Sequence, residues 1–473
     1  MNFQQNIPAA GPTSRRAVVI GALLAAGLLA SCAQVPAAAP QAPASAHPPI
    51  VFLHGNGDMA SQWQTQLWRF ESNGWPRERL FALRHPYPLA RGNDLVPQAG
   101  RTSTAEHMAF LAGEVERIRQ ATGADKVVLV GNSRGGNAIR NFIVNGGGSD
   151  KVSHAILGGT PNHGIWAIPG YLEENEFSGL SPFLKQLNAP KNAAGDEVTG
   201  PVRWMTLRSD NNDRYAQPDG RWLGRPGQPT LVGHDGPALK GAHNVVLPGA
   251  DHREVSYSAA AFEHTWRFIT GEKPRTTEIV PQAQVVLRGT VTGLGLDPLD
   301  ASSGNYTNNL PLPGAAVEVW RVDPETGARQ GEALLKQTVG KDGRWGPAQV
   351  PPGHPVELVV SAEGYATTHY YRSGFPRGSD IVDLRAQRLA VADAHADSVV
   401  VLWRPRGYLD PARAMRLDGA PPPNVPAGSG VAHSKITPQG GQRTIRAEFD
   451  GERLVGQTWP AKDGHMVYLE ITQ

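Results

Sequence analysis

The segment 131–135 reads Gly-Asn-Ser-Arg-Gly, which places one serine between two glycines. An apolar, β-branched run at 126–130 precedes it, and a helical pattern at 137–144 follows it. A serine at a sharp turn between a strand and a helix has its hydroxyl lifted above the sheet, where it can attack a carbonyl carbon. Glycines are needed beside it because larger side chains would collide across the turn. We therefore predict that Ser133 is the nucleophile of a hydrolase; an ordinary Gly/Ser turn is the alternative.

Attack by a serine places negative charge on the carbonyl oxygen, so such a site needs two N–H groups near the nucleophile. One comes from Arg134, which follows the serine at the start of the helix. The second is expected from an upstream loop, and the segment 54–58, His-Gly-Asn-Gly-Asp, follows an apolar run at 49–53. We predict that the backbone N–H groups of Asn56 and Arg134 form the oxyanion hole. The alternative for 54–58 is a glycine-rich turn without a catalytic role.

The general base should be a histidine late in the same domain, because hydrolases with such a serine turn order their triad Ser, acid, His. His252 fits this position, since it follows a strand pattern at 245–247 and precedes a helical pattern at 259–269. Its rivals are His243, which lies before the strand, and His264, which lies within the helix. We predict that His252 is the base.

The acid is expected in the loop after a strand pattern at 202–208, and this loop contains both Asp210 and Asp213. We favour Asp213, which lies a few residues past the strand and shortly before a proline. Asp210 would then bind local amides within the turn, and Asp219 is a third alternative. A calcium site built from Asp210, Asn212 and Asp213 is conceivable, but a solvated loop fits better, and we predict no metal site.

The scaffold that must hold these residues is predicted from alternating strand and helix patterns between 49 and 276. Apolar residues recur at three- and four-residue steps over 104–122, which indicates a helix. Strands are predicted at 49–53, 126–130, 151–157, 202–208 and 245–247. The alternation predicts an α/β fold with a mostly parallel sheet and helices on both faces.

After residue 276 the helical periodicity disappears. Alternating strands separated by turn residues predict one or two all-β sandwich domains, at 277–375 and 376–473. The strand patterns lie at 284–292, 315–322, 334–339, 356–361 and 366–371.

The N-terminus has the features of an export signal. Arg15 and Arg16 precede an apolar run at 17–30, which is too short for a membrane-spanning helix. Residues 29–32, Leu-Ala-Ser-Cys, resemble the lipobox of bacterial lipoproteins, which implies a signal peptide at 1–32 and lipidation of Cys32. An Ala/Pro/Gln-rich tether at 33–48 follows. We expect a lipoprotein of the bacterial cell envelope or a secreted protein, with an idle thiol as the alternative for Cys32.

The charge balance limits the classes of molecule that we expect the protein to bind. The net charge is +2, and no basic stripe or acidic tail stands out, so we expect no nucleic-acid partner. We expect a monomer that meets the membrane through its N-terminal lipid anchor.

Three motifs together resemble bacterial lipases and esterases of the α/β-hydrolase superfamily, in particular class 2 lipases. They are the segment 51–58, the serine turn at 131–135, and the segment 158–164, Gly-Gly-Thr-Pro-Asn-His-Gly. The resemblance covers about half of the chain and implies hydrolysis of carboxylic esters without a cofactor. Segments 289–293, 312–319 and 342–346 resemble carboxypeptidase-regulatory-like and prealbumin-like β modules. Alternatives are a polyester depolymerase of the polyhydroxyalkanoate type, an amidase or peptidase, and a non-catalytic envelope binding protein.

An insertion between 161 and 202 carries aromatic residues that would suit the wall of an acyl pocket. We predict substrate contacts for Trp166, Tyr171 and Phe177, although these side chains could equally pack against their own domain. Arg134 departs from the apolar residue that many lipases have after the serine. Its side chain is expected either to favour polar or anionic substrates or to form a surface ion pair.

Overall fold

The computed structural model of the chain describes residues 47–296 and 305–473. The predicted signal peptide, Cys32 and nearly all of the predicted tether lie outside these residues. Within the described residues, no helix is both long and apolar enough to cross a membrane.

The apolar runs of the first half form six strands, which all pair in parallel in the order β2-β1-β3-β4-β5-β6. The strands are β1 (Ile50–Leu53), β2 (Leu80–Ala82), β3 (Val127–Asn132), β4 (Val152–Gly158), β5 (Arg203–Ser209) and β6 (His243–Leu247). The helices are α1 (Gln64–Ser72), α2 (Thr104–Thr122), α3 (Arg134–Asn145), α4 (Pro182–Leu187), α5 (Glu254–Tyr257) and α6 (Ala259–Thr270). Because every strand has parallel neighbours, the carboxyl ends of β1, β3, β4, β5 and β6 meet at one edge.

Both faces of this sheet are buried, as continuous apolar strands require. Successive side chains of a strand point to opposite faces, so Ile50 and Phe52 pack against α1 and α6, whereas Val51 and Leu53 pack against α2 and α3. Helix α2 covers the predicted range because Ser103 and Glu106 form a capping box at its start and Gly123 ends it with φ 64°. The predicted α/β sheet with helices on both faces is confirmed.

The second half consists of strands. They are β7 (Val285–Gly293), β8 (Gly295–Leu296), β9 (Asn305–Tyr306), β10 (Ala316–Val322), β11 (Arg329–Thr338), β12 (Arg344–Val350), β13 (Val356–Ser361), β14 (Thr367–Arg372), β15 (Leu384–Ala386), β16 (Val400–Trp403), β17 (Met415–Leu417), β18 (His433–Ile436), β19 (Thr444–Phe449), β20 (Glu452–Gln457) and β21 (His465–Glu470). Seven of them form one sheet in the order β11-β10-β13-β14-β21-β16-β18, and three-stranded sheets β12-β7-β15 and β17-β19-β20 accompany it.

The seven-stranded sheet lies between the two three-stranded sheets. Tyr370 belongs to the apolar core shared with β7 and β12, and Tyr371 belongs to the core shared with β19 and β20. These neighbours in β14 point to opposite faces, so both faces are covered. Strand β14 pairs in parallel with β21. The boundary predicted between residues 375 and 376 therefore does not separate two sheets.

Helix α1 packs against both the parallel sheet and the β strands of the second half. The Trp68 side chain is buried in the apolar core of the β strands, its Nε1 donates to the carbonyl of Gly378 at 2.8 Å, and its ring contacts Phe375 edge-on. Gln64 Nε2 donates to Ser379 Oγ at 3.0 Å. The parallel sheet and the β strands thus share a buried boundary.

Candidate active site

Ser133 lies at the turn between β3 and α3, with φ 52° and ψ −122°. Positive φ is rare for a residue with a side chain and stores strain. The neighbouring backbone leaves no room for larger residues. A Cβ on Gly131 would lie 2.7 Å from the Gly136 nitrogen, and one on Gly135 would lie 2.6 Å from the Leu53 carbonyl oxygen. This is the elbow conformation that the Gly-x-Ser-x-Gly pattern predicts.

The loop after β1 lies directly beside this serine. A Cβ on Gly55 would approach the Ser133 Cβ to 3.1 Å, so the backbone of the loop borders Ser133. The Asn56 side chain holds the loop, since its Oδ1 accepts from the Ala90 N–H at 2.7 Å. Arg134 is the first residue of α3, and its N–H has no acceptor within the helix. Asn56 and Arg134 thus belong to two segments that both adjoin Ser133.

Asp213 and His252 form a buried hydrogen bond, 2.8 Å between Asp213 Oδ2 and His252 Nδ1. The second oxygen, Asp213 Oδ1, accepts from the Tyr215 N–H at 2.8 Å. A carboxylate at Nδ1 favours the tautomer with the proton on Nδ1 and leaves Nε2 free to accept a proton. The arrangement therefore provides a base of the kind that activates a serine.

The rival residues have other contacts. Asp210 Oδ1 accepts from the N–H groups of Asn211 at 2.7 Å and Gly249 at 3.0 Å, which is the local role expected if Asp213 is the acid. The bond from Gly249 is the main reason that the pKa of Asp210 is lowered. Asp219 binds the Arg221 N–H at 2.9 Å. His243 is the first residue of β6 and stacks on Phe268.

Asn132, which the sequence analysis did not single out, joins the serine turn to the histidine segment. Its Nδ2 donates to Ser256 Oγ at 2.8 Å, to the His252 carbonyl at 3.2 Å and to the Gly158 carbonyl at 3.3 Å. The same Gly158 carbonyl accepts from the Ser133 N–H at 2.8 Å. Its place directly before the serine is the only sequence signal for this role.

The Arg134 side chain is neither at a pocket edge nor in a surface ion pair, because it is fully buried. Its Nε and Nη2 bind Glu176 Oε1 at 2.8 and 2.7 Å. Nη1 donates to the Pro88 carbonyl and to the Thr102 hydroxyl, and Nη2 also donates to the Thr102 carbonyl. Burial raises the pKa of Glu176 to about 7, and Arg134 opposes this rise. The guanidinium therefore joins two loops, residues 83–103 and 159–181, to the serine turn and does not face substrate.

The predicted aromatic residues form one apolar cluster close to His252. Trp166 is buried with Ile165 and Ile168, and Tyr171 and Phe177 pack against them. Tyr215 belongs to the same cluster, and its ring centroid lies 4.3 Å from that of His252. A cavity of about 100 Å³ is lined by Tyr215, Asp213 and further residues, among them Pro161, His163 and Leu239. The aromatic residues thus pack together beside the Asp213–His252 pair, and Tyr215 is the member that touches it.

Metal ligands are not assembled in the described part of the chain. No group of three or more His, Cys, Asp or Glu side chains there could hold a metal ion. In particular, the Asp213 carboxylate is committed to His252 and to Tyr215.

Two stretches of the chain match known families. Residues 47–201 match the class 2 lipase family, and residues 283–389 match the lipase C-terminal domain. The chain thus has a segment similar to class 2 lipases, followed by a segment similar to lipase C-terminal domains. The predicted resemblance to class 2 lipases is confirmed, and the match supports hydrolysis of carboxylic esters. Residues 202–282, which contain Asp213 and His252, and residues 390–473 lie outside both matches.

Solved structures, two of them of lipases, are similar to about half of the chain at low identity. Aspergillus fumigatus lipase B is 15% identical with a TM-score of 0.32, over 49% of this chain and 54% of that one, so this chain spans about half of that lipase. The lin2722 gene product of Listeria innocua is 16% identical with a TM-score of 0.33, over 49% of this chain and 97% of that one. Bacillus licheniformis lipase BlEst2 in its mature form is 19% identical with a TM-score of 0.28, over 48% and 91%.

Proposed function

We propose that this chain is an exported serine hydrolase that cleaves carboxylic esters with a triad of Ser133, Asp213 and His252. The observation that carries the proposal is the 2.8 Å bond between Asp213 and His252, in a fold whose Ser133 has the strained elbow conformation. The class 2 lipase match supports the ester as the bond that is cleaved.

In the proposed reaction, His252 Nε2 accepts the Ser133 proton while the serine oxygen attacks the ester carbonyl. The N–H groups of Asn56 and Arg134 bind the tetrahedral oxyanion, and His252 then protonates the leaving alkoxide. Water repeats the cycle on the acyl-enzyme and releases the carboxylic acid. Asp213 holds the imidazole tautomer and stabilises the imidazolium that forms in each half of the cycle.

Fluorophosphonate labelling of the full chain tests the nucleophile, and a panel of nitrophenyl esters and polyester films tests the bond that is cleaved. We expect one stoichiometric label on the peptide that contains Ser133, together with hydrolysis of soluble esters. Prior labelling should abolish that hydrolysis. A label on another residue would contradict the assignment, and activity restricted to polymer films would favour a depolymerase.

We also propose that Cys32 is lipidated after export and ties the enzyme to a membrane. The proposal is supported by the charged, apolar and lipobox-like order of residues 15–32. Expression of the full chain in a bacterium should place it in the membrane fraction, with a mass that includes the lipid. Cys32→Ser should move it to the soluble fraction or leave the signal uncleaved. An unlipidated wild-type chain would contradict the proposal.

A further inference from the structure

The segment that carries His252 is held by residues from the far end of the chain. Strand β16, the neighbour of β21 in the seven-stranded sheet, ends at Trp403. The next residue, Arg404, is almost completely buried and binds Asp251, the residue directly before His252. Arg404 lies beyond residue 389, where the lipase C-terminal match ends.

Asp251 organises the backbone that directly follows the histidine. Its Oδ1 accepts from the N–H groups of Arg253 at 2.8 Å and Glu254 at 2.9 Å, which fixes the turn into α5. Its Oδ2 accepts from the Tyr408 N–H at 2.6 Å and from Arg404 Nη1 at 3.2 Å. One carboxylate therefore connects the turn around His252 to the β strands.

Asp251 is 1% exposed, so its charge must be balanced within the protein. Burial and the nearby Glu254 raise the pKa of Asp251 to about 6, and Arg404 opposes this rise. Arg404 also binds Glu254 through Nη2, and Glu254 accepts a second bond from Arg413 at 3.1 Å. Without Arg404, two carboxylates would face each other beside the histidine, and the ion pair that remains there would be the one between Glu254 and the more exposed Arg413.

Arg404 is itself fixed in one position. Its Nε donates to the Gln473 carbonyl at 3.1 Å, its Nη1 donates to the Tyr408 carbonyl at 2.7 Å, and its guanidinium lies 4.5 Å from the centre of the Phe449 ring. These contacts orient the guanidinium fork toward Asp251 and Glu254. The β strands and their loops also contact two other loops of the site. Asn309 Nδ2 donates to the carbonyl of Asp58 in the loop after β1 at 2.9 Å, and Arg214, next to Asp213, donates to the Gly430 carbonyl.

We propose that Arg404 is a positioning residue for catalysis: through Asp251 it holds the backbone of His252 so that the imidazole meets Ser133. The inference rests on the proposed triad. It makes residues 390–473 part of the working hydrolase, and it assigns Arg404 a role in turnover rather than in substrate binding.

Arg404→Ala should lower kcat about 100-fold, because a displacement of a catalytic group by about 1 Å costs roughly this factor. KM should stay close to the wild-type value, since the aromatic cluster and the serine turn are not changed. Guanidinium ion at millimolar concentration should restore part of kcat, because it fits the space that the side chain leaves between two carboxylates. The measurements are steady-state kinetics on a nitrophenyl ester, with active enzyme counted by fluorophosphonate.

Arg329→Ala is the matched control. Arg329 Nε donates to the buried Glu357 at 2.6 Å, and both residues lie in the same seven-stranded sheet. This ion pair does not include a residue of the loops that carry Asn56, Asp213 or His252. The variant should lose stability as Arg404→Ala does, yet keep kcat near the wild-type value and show no response to guanidinium. Equal loss of kcat in both variants would mean that Arg404 acts only through stability, and would overturn the proposal.

Asp251→Asn keeps the proposal testable if Arg404→Ala does not fold. The asparagine oxygen can still accept from Arg253 and Glu254, but its amide group then faces the donors of Tyr408 and Arg404. We expect a similar loss of kcat, and a folded Asp251→Asn chain with wild-type kcat would overturn the proposal. A different result would contradict the proposed function, namely activity that is retained in Ser133→Ala. If Ser133→Ala is inactive while both Arg404→Ala and Asp251→Asn keep the wild-type kcat, the positioning role is wrong and the proposed function stands.

Discussion

Ser133→Ala is expected to lower kcat for a nitrophenyl ester about 10⁶-fold, because loss of the nucleophile removes the acyl-enzyme route altogether. Alanine keeps the Cβ of serine, so the strain at φ 52° and the packing of Gly55 against that carbon are unchanged. The fold and KM should therefore stay close to those of the wild type. Steady-state hydrolysis measures the loss, and thermal unfolding verifies the fold.

Ser153→Ala is the matched control for this variant. Ser153 lies in β4, near the amino ends of the strands, and its hydroxyl donates to the Val127 carbonyl at 3.2 Å. The same loss of a hydroxyl group at the opposite edge of the sheet should leave kcat near the wild-type value. Retention of a hundredth or more of kcat by Ser133→Ala would exclude Ser133 as the nucleophile.

The sequence could predict those parts of the candidate site whose geometry follows from local pattern and chain order. The serine turn is predictable because backbone atoms lie within 3 Å of the place where a Cβ would be on Gly131 or Gly135, so only glycine fits there. The parallel pairing of the strands brings their carboxyl ends to one edge of the sheet. The loops that carry Asn56, Asp213 and His252 follow three of these strands and therefore lie at the same edge. The position of His252 after the strand pattern at 245–247 selected it over His243, which lies at the amino end of β6.

Contacts between residues far apart in the chain could not be predicted from the sequence. Nothing near Arg134 in the chain indicates that its guanidinium binds Glu176, 42 residues away, so a residue beside the nucleophile was mistaken for one that faces solvent or substrate. The parallel pairing of β14 with β21 brings together residues about 100 positions apart. Local patterns do not indicate such a pairing, so the prediction of one or two β domains left open that strands on both sides of residue 375 share a sheet. Arg404 and Asp251 are separated by 153 positions, and no local sequence pattern indicates that they bind each other.

The choice of the acid is the part of the triad that the sequence left most open, and Asp213→Asn is expected to resolve it. We expect kcat to fall about 10⁴-fold, as for the carboxylate of other Ser-His-Asp triads. The hydrogen bonds give the reason. Asp213 Oδ1 accepts from the Tyr215 N–H, so the asparagine oxygen should remain there and its amide group should face His252 Nδ1. That amide is a donor, and it favours the tautomer whose proton is on Nε2, which cannot accept the Ser133 proton.

Asp210→Asn is the paired control, because it makes the same change three residues earlier in the same loop. Asp210 Oδ1 accepts from two backbone N–H groups, and an asparagine oxygen can replace it in both bonds, so kcat should change little. The reverse result, a large loss with Asp210→Asn and a small one with Asp213→Asn, would assign the acid to Asp210. Since the triad acts as a unit, losses of its members are not additive. Ser133→Ala combined with Asp213→Asn should therefore be no slower than Ser133→Ala alone, and a further large loss would mean that Asp213 acts on the reaction without His252 and Ser133.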